Sequence, residues 1–380
     1  MTVALRGLST AVPPTVLIQE EVRDVFGAQP GLNRLAQRIV STSFNVSGIE
    51  TRHTVLEELS RDAHPDEPVF FDIDSGELLL PGTKARNELY AEFATKLYVE
   101  AGRAAIAATP GIEASDVTHI ITVSCTGFYA PGPDFVISRE LELDAGVERY
   151  HLGFMGCYAS VPALRIAKQL CEADAAAVVL VVSVELCTLH LRSSNDPDTI
   201  VASSLFADGA GAGIVTARPL EDGERAFDLD RFATRITPVG EGDMAWKIGD
   251  HGFEMVLSNA IPSIIDDHIT GALEPLFDHD PALAEALATD ASSDAIEHWA
   301  IHPGGRSILD KVESRLVLTE AQLVPARETL RDYGNMSSAT VLFVLRNILD
   351  SDAAADGDRV AAMAFGPGLT VESALLTVRA

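Results

Sequence analysis

The amino-acid sequence predicts an α/β protein composed of two similar halves. Apolar runs of strand length alternate with helix-like segments along its 380 residues, which is the pattern of an α/β fold. The run 177–184 is continuously apolar, so its strand should be covered on both faces. The order of elements in the first half is repeated in the second, and each half finishes with a Gly-rich turn and a strand. We place the halves at 1–222 and 223–380.

Each predicted element rests on its own apolar pattern. Residues 86–108 carry Leu89, Phe93 and Leu97 at helical spacing, and 210–215 reads as a glycine-rich strand. The remaining strands are predicted at 119–124, 295–301, 360–365 and 373–378. The remaining helices are predicted at 163–171, 306–316 and 336–349. Acidic, turn-rich stretches are predicted to be surface loops at 57–84, 218–230, 275–294 and 350–359.

Composition excludes several classes of function. The net charge of −28 argues against nucleic acid or an anionic membrane surface as a partner, because both require basic patches. The chain has no run of eighteen apolar residues, so no membrane span is expected. Its four cysteines contain no CxxC pair, which argues against a disulfide framework and against a zinc or other metal site. Without a signal-peptide pattern at the N-terminus, we expect a reducing, cytoplasmic location.

Cys157 is the first candidate for a reactive group. It lies in the segment GFMGCYAS (153–160), between glycines and an amphipathic helix whose dipole would lower the pKa of a thiol. A buried cysteine that acts as a small apolar residue is the alternative. Pro162 would interrupt a regular helix begun at Cys157, so we expect Cys157 on an irregular turn and the helix to start near Pro162. A nearby base then contributes more to its activation than the dipole does.

His302 and Asn335 are the other two candidates. His302 ends a predicted strand and meets a Pro-Gly-Gly turn, and Asn335 follows a glycine and opens a helix. Taken singly, His302 reads as a turn residue and Asn335 as an ordinary helix N-cap. Together with Cys157 they supply what thioester chemistry needs: a thiolate to accept an acyl group, an imidazole beside it and donors for an oxyanion.

These segments, with AFGPGLT at 364–370, resemble the type III polyketide synthases, the chalcone-synthase-like branch of the thiolase superfamily. The resemblance runs along nearly the whole chain and departs from the last motif only in Ala364, where the family has glycine. It implies a five-layered αβαβα thiolase-like fold from two similar halves, and a homodimer. It implies acyl-CoA and malonyl-CoA as substrates, with no cofactor beyond these thioesters.

The resemblance also implies a role for each of the three residues. Cys157 carries the starter acyl group and then the growing chain. His302 and Asn335 bind the thioester carbonyl of malonyl-CoA and stabilise the enolate that forms when CO2 leaves. Phe206 matches the residue between the CoA tunnel and the cavity; without the family it reads as a core aromatic beside a turn.

The cavity wall distinguishes members of this family. The matching positions in this chain are Cys125, Thr126, Ala130, Glu185, Cys187, His190, Trp246, Phe253, Met255 and Ser337. Plant chalcone synthases have Thr, Thr, Gly and Phe in place of Cys125, Cys187, Trp246 and Met255. The segment 243–255 is instead similar to bacterial alkylresorcinol and alkylpyrone synthases, which use fatty acyl starters. An alkylresorcinol or alkylpyrone product is therefore the expectation.

Basic residues are expected to meet the phosphates of CoA. The matching position is Arg52, with Lys247 and Arg306 as additions. Because the chain is so acidic, a tunnel mouth without a basic cluster would favour an acyl carrier protein as the donor. Three alternatives stay open: a single condensation like that of a ketoacyl-carrier-protein synthase III, an aromatic-starter chalcone or stilbene type synthase, and a non-catalytic partner subunit.

Overall fold

The apolar segments form fifteen strands and twelve α-helices in the computed structural model, which describes residues 2–60 and 65–380. The strands are β1 (Ala4–Ala11), β2 (Thr15–Ile18), β3 (Thr51–Thr54), β4 (Phe71–Asp72), β5 (Glu77–Leu78), β6 (His119–Ser124), β7 (Glu148–Gly153), β8 (Val178–Leu186), β9 (Asp208–Thr216), β10 (Ala226–Ile236), β11 (Met244–Gly249), β12 (Gly252–Leu257), β13 (His298–Ile301), β14 (Arg359–Gly366) and β15 (Thr370–Arg379). The helices are α1 (Gln19–Gly27), α2 (Arg34–Val46), α3 (Thr83–Ala107), α4 (Pro133–Glu140), α5 (Ser160–Ala173), α6 (Pro197–Leu205), α7 (Ile261–Phe277), α8 (Pro281–Ala288), α9 (Ser292–Ala295), α10 (Arg306–Leu316), α11 (Glu320–Tyr333) and α12 (Thr340–Leu349).

A nine-stranded sheet forms the framework, in the order β13-β14-β15-β10-β1-β9-β8-β6-β7. The first half of the chain contributes β1, β9, β8, β6 and β7, and the second half contributes the other four strands. The halves join where β1 pairs with β10, through Ala4 opposite Asp228 and Leu5 opposite Phe227. Strand β6 is parallel to β7 and β8, and β13 is parallel to β14, whereas the other pairs in this sheet are antiparallel.

The two halves repeat one order of elements. β1, α3, β6, α4, α5, β8 and β9 correspond to β10, α7, β13, α10, α12, β14 and β15. Helix α5 packs against strands of both halves, as does α12, so these two helices form the middle layer. Helix α3 covers the outer face of the first half and α7 that of the second. The predicted five-layered αβαβα sandwich is therefore confirmed.

Most predicted elements occur at the predicted places, and 275–294 is the main exception. This stretch was expected to be a loop but contains the end of α7 and all of α8 and α9. Pro281 begins α8, and the Asp280 carboxylate accepts hydrogen bonds from the backbone N–H groups of Ala282 and Leu283. The expected loop 218–230 also gives way to strand β10 from Ala226 onward. In the described ranges no helix is both long and apolar enough to cross a membrane.

Candidate active site

Cys157 lies at a narrow, mainly apolar cavity. Its volume of about 40 Å³ leaves room for only a few water molecules. It is lined by Cys125, Thr126, Gly156, Cys157, Cys187, His190, Leu191, Arg192, Thr199, Ala202, Ser203, Phe206, Met244, Trp246, Phe253, Met255, Ser337 and Pro367. The structure thus brings Phe206 and most of the predicted wall residues together around the candidate nucleophile. Arg192, Ser203, Met244 and Pro367 are wall residues that sequence reasoning missed, because only the packing of distant segments brings them here.

The turn that holds Cys157 has the predicted shape. Helix α5 starts at Ser160, so Cys157 precedes it and Pro162 falls in the first helical turn. Gly156 has a φ of 91°, and a Cβ there would lie 2.5 Å from Pro367 Cδ, so the 364–370 loop packs directly on the turn. Burial raises the pKa of the Cys157 thiol to about 12, partly offset by a hydrogen bond from Ser337. Cys157 is therefore a neutral thiol near pH 7 and needs a base.

His302 is a buried imidazole without a hydrogen-bond partner. It follows β13, its side chain is 1 % exposed, and neither ring nitrogen is bonded within the described chain. Its backbone N–H donates to the Met363 carbonyl at 2.8 Å, which fixes the turn. Burial lowers the pKa of His302 to about 3, so the ring is neutral near pH 7. Buried polar groups are nearly always satisfied, so two free nitrogens point to a ligand at this position.

Asn335 connects the His302 turn to Phe206. Its Nδ2 donates to the Gly304 carbonyl at 3.2 Å, and its Oδ1 accepts from the Ser337 N–H at 2.9 Å. Its backbone N–H donates to the Leu205 carbonyl at 2.9 Å, and the Ala207 N–H donates to the Asn335 carbonyl at 2.9 Å. Phe206 shares an apolar cluster with Cys157. His302 and Asn335 do not line the cavity, but these bonds place them beside its Phe206 wall.

Two of the predicted wall residues are held rigidly. The His190 Nε2–H donates to the Thr126 carbonyl at 2.8 Å, and its Nδ1 accepts from the Phe253 N–H at 3.0 Å, which fixes a neutral tautomer. Burial lowers the pKa of His190 to about 3. The Trp246 Nε1–H donates to the Cys125 carbonyl at 2.7 Å, and the ring stands edge-on to His190 and Phe253. The Trp246 wall is therefore anchored rather than free to swing.

Glu185 lies behind the cavity wall and not on it. Its carboxylate is fully buried and accepts hydrogen bonds from the Cys125 N–H at 2.9 Å, the Thr126 hydroxyl at 2.9 Å and the Ser338 hydroxyl. Burial raises the pKa of Glu185. Its place among these donors makes it a support for the 124–126 segment, rather than a residue that faces substrate.

Two further sequence predictions about the site, those for Ala130 and Arg52, are wrong. Ala130 is exposed and lines a separate surface depression with Tyr90 and His151. Lys247 is exposed on the β11–β12 hairpin, opposite Glu254 in the register, and its contact with CoA stays a prediction. Arg52 is 0 % exposed and bonds to backbone carbonyls, so it cannot meet CoA phosphates at the surface.

Arg306 lines a second, larger cleft. This cleft has a volume of about 430 Å³ and also contains Arg38, which the sequence analysis did not select. Arg38 and Arg306 are both exposed, and Asn259 and Ser307 add polar groups. Helix α6 separates the two spaces: Val201, Ser204 and Leu205 face the cleft, whereas Ala202 and Ser203 face the Cys157 cavity. The only sequence signal for Arg38 was a basic residue on the exposed face of an amphipathic helix.

Acid should destabilise the fold through His302. The pKa of this ring is about 6.5 in an unfolded chain and about 3 in the folded one, so between these values the unfolded chain binds more protons. The stabilisation is complete above pH 6.5 and is lost as the pH falls toward 3. Relative to His302→Gln, the free energy of unfolding should drop by about 2 kcal/mol between pH 7 and pH 5. The urea midpoints of the wild type and of His302→Gln at pH 7 and pH 5 measure this difference. An equal loss of stability in the two proteins between these pH values would contradict the prediction.

The chain matches known proteins along nearly its whole length. Residues 2–219 match the N-terminal domain of the chalcone and stilbene synthases, and residues 228–379 match their C-terminal domain. Bisdemethoxycurcumin synthase from Oryza sativa subsp. japonica is 33% identical over 98% of this chain and 92% of its own length. The rice type III polyketide synthase 10 is 30% identical over 97% of this chain and 90% of its own.

Solved structures give the same result. PKS-I from the brown alga Ectocarpus siliculosus superposes with a TM-score of 0.87 at 25% identity and covers 99% of both chains. The 1,3,6,8-tetrahydroxynaphthalene synthase from Streptomyces coelicolor A3(2), a bacterial type III polyketide synthase, superposes with a TM-score of 0.84 at 26% identity and also covers 99% of both chains.

Proposed function

The chain belongs to the chalcone and stilbene synthase family of type III polyketide synthases, and from that premise we propose which residues carry the reaction and which product it gives. Members of this family are acyltransferases that join acyl units from CoA thioesters by decarboxylative condensation. In our proposal Cys157 accepts an alkyl acyl starter from acyl-CoA. Malonyl-CoA then extends it, and the chain cyclises to an alkylresorcinol or alkylpyrone. The observation that carries this is Cys157 in an apolar cavity, together with a buried, neutral His302 whose ring nitrogens have no partner among the described residues.

The loading step follows from the protonation states. In our proposal the Cys157 thiol transfers its proton to the His302 ring as Sγ attacks the acyl carbon, and the attraction between the developing thiolate and imidazolium offsets the burial that disfavours each charge alone. The C–S bond to CoA then breaks, and the CoA thiolate takes the proton from His302. The starter is left as a thioester on Cys157, and His302 is neutral again.

The extension step uses the same groups as donors. When malonyl-CoA loses CO2, negative charge develops on its thioester oxygen, and the Asn335 amide and the His302 ring donate to it. The enolate carbon attacks the acyl carbon on Cys157, and the C–Sγ bond breaks, so Sγ leaves as a thiolate that carries the negative charge of the enolate. The product is a chain two carbons longer on CoA, and Cys157 is free to take it up again. No cofactor besides the thioesters takes part in this proposal.

We place CoA in the larger cleft. Its phosphates meet the exposed guanidinium groups of Arg38 and Arg306. The acyl end passes the end of helix α6 at Phe206 to reach Cys157. A carrier protein that delivered the starter would be an alternative donor, and turnover of free acyl-CoA by the purified chain excludes the need for one.

The apolar lining of the cavity favours an alkyl starter. An aliphatic chain fits a narrow apolar cavity because each of its bonds can rotate, whereas an aromatic ring needs a flat slot of its full width. Trp246, which is anchored by its hydrogen bond to the Cys125 carbonyl, and Phe206 both line this cavity, so in our proposal an alkyl chain passes between them more readily than a ring does. An aromatic starter is the second candidate, because a relative is a bisdemethoxycurcumin synthase. Incubation with malonyl-CoA and a panel of short, long and aromatic acyl-CoAs, followed by mass analysis, decides between them. Products from aromatic starters alone would refute the alkyl proposal.

Removing the Trp246 ring should enlarge the products. Trp246→Gly opens the wall beside Cys125, so the cavity holds a longer chain before cyclisation. We expect a shift toward products that are longer by at least one two-carbon unit, measured by mass spectrometry with one fixed starter. Lys247→Ala, on the exposed side of the same hairpin, is the matched control. An unchanged product distribution in Trp246→Gly would show that this wall does not limit extension.

We also propose a homodimer that forms at the free edge of the sheet. Strand β7 ends the nine-stranded sheet, and no described strand pairs with its outer edge. Phe128, Phe135 and Tyr150 are 39%, 36% and 42% exposed. An open edge with exposed aromatic side chains is a surface that another chain covers. Light scattering of the purified protein should give twice the mass of the chain, and a monomer at micromolar concentration would contradict the proposal.

A further inference from the structure

Arg52 places a positive charge in the protein interior. Its side chain is 0 % exposed, and its hydrogen-bond partners are backbone carbonyl oxygens rather than a carboxylate. Its Nε and Nη2 atoms have no partner within the described chain. Burial lowers the pKa of Arg52 to about 10, and the Asp208 carboxylate opposes this shift, so the group remains charged near neutral pH. Burying a charge costs free energy, which the contacts of that charge must offset.

The guanidinium group of Arg52 binds the end of helix α6. Its Nη1 donates to the Ser203 carbonyl at 2.9 Å and to the Phe206 carbonyl at 2.7 Å. The last carbonyls of a helix have no partner within the helix, and a cation there is also favoured by the helix dipole. Arg52 therefore fixes the backbone of Ser203, which lines the Cys157 cavity, and of Phe206, which shares its apolar cluster.

The aliphatic part of Arg52 supports the turn that carries Asn335. Gly334 has a φ of 70°, and a Cβ at this position would lie 2.8 Å from Arg52 Cγ. Only glycine lets the Arg52 chain pack so closely under this turn. The next residue, Asn335, is bonded through its backbone to Leu205 and Ala207, on both sides of Phe206. One side chain thus contacts both segments that meet beside the reactive cysteine.

We propose that Arg52 is a positioning residue that holds Phe206 and Asn335 in register for the condensation, a role that rests on the proposed function. Without its guanidinium group, the Ser203 and Phe206 carbonyls lose their donor, and the α6 end and the Asn335 turn lose their shared support. A displacement of about 1 Å in such groups can cost on the order of 10²-fold in rate, because the donor no longer matches the developing enolate oxygen.

The test compares Arg52→Met and Arg52→Lys with Arg6→Met. Arg6 is another buried arginine that bonds to a backbone carbonyl, that of Pro110, but it pairs with Glu224 at the junction of the halves. In Arg52→Met we expect kcat per folded protein to fall at least about 10-fold, with KM for malonyl-CoA changed less than about 3-fold. Arg52→Lys should recover part of kcat. Arg6→Met should lower the thermal midpoint but leave kcat unchanged.

A second readout does not depend on the proposed function. The rate at which iodoacetamide alkylates Cys157 without substrate, followed by peptide mass, should change at least about 5-fold in Arg52→Met and not in Arg6→Met. Wild-type kcat and alkylation rates in Arg52→Met would overturn the role of Arg52. If Arg52→Met does not fold, kcat and the rate of Cys157 alkylation in Arg52→Lys decide whether Arg52 has the proposed role. If the wild type uses no acyl-CoA, the proposed function fails, and the alkylation rates still test the position of Phe206.

Discussion

Replacing Cys157 by alanine is expected to lower polyketide formation by at least about 10³-fold. The methyl group fits the space of the thiol but cannot form a thioester, so neither loading nor extension has an acyl carrier. Product formation is measured by mass spectrometry with acyl-CoA and malonyl-CoA. The mass of the intact protein after acyl-CoA alone should increase by one acyl group in the wild type and stay unchanged in Cys157→Ala.

Cys171→Ala is the matched control for this experiment. Cys171 lies in helix α5, which begins just after Cys157, and it is also buried, but its thiol donates to the Val215 carbonyl at 3.4 Å and does not line the cavity. It should keep wild-type product formation and the acyl adduct. Product formation by Cys157→Ala at more than about a tenth of the wild-type rate would contradict covalent loading on this residue.

Replacing His302 by glutamine is expected to lower turnover by about 10²- to 10⁴-fold. Glutamine retains a hydrogen-bond donor but cannot take the proton from a thiol whose pKa is raised to about 12. Cys157 acylation, measured by rapid mixing and intact mass, should slow by most of this factor. Release of CO2 from malonyl-CoA should slow less, because the glutamine amide and Asn335 still donate to the enolate oxygen.

His298→Gln controls for the loss of an imidazole from the same strand. His298 lies at the opposite end of β13, and its Nε2 lies 3.0 Å from the Asp358 carboxylate, outside the site. Its acylation and CO2 release rates should match the wild type. Acylation in His302→Gln at the wild-type rate would show that another group removes the proton from Cys157.

The sequence by itself predicted the α/β class, the repeat of two halves and most elements. Strand 119–124 and helix 306–316 have the predicted bounds in the structure, because their apolar spacing and flanking turns act over a few residues. The irregular turn at Cys157 followed from Pro162 for the same local reason. The prediction of a surface loop at 275–294 was wrong. Its acidic and turn-forming residues suggested a loop, although the stretch also carries the apolar face of α8, where Leu283 and Leu287 are buried.

The sequence alone also identified Cys157, His302 and Asn335 as candidate site residues, since a thiol, an imidazole and an amide at turns are the groups that thioester exchange requires. Only the tertiary structure decided which other residues take part. Arg52 is buried and cannot be a phosphate ligand, whereas Arg38 is exposed in the cleft where we propose that CoA binds, because burial depends on helices and strands that are far apart in the chain. The same packing set the cavity at about 40 Å³ and left His302 neutral, with no partner for its ring among residues 2–60 and 65–380. The local sequence determines which reactive side chains are present and at which turns they lie. Long-range packing determines which of these side chains come close together and whether they are protonated.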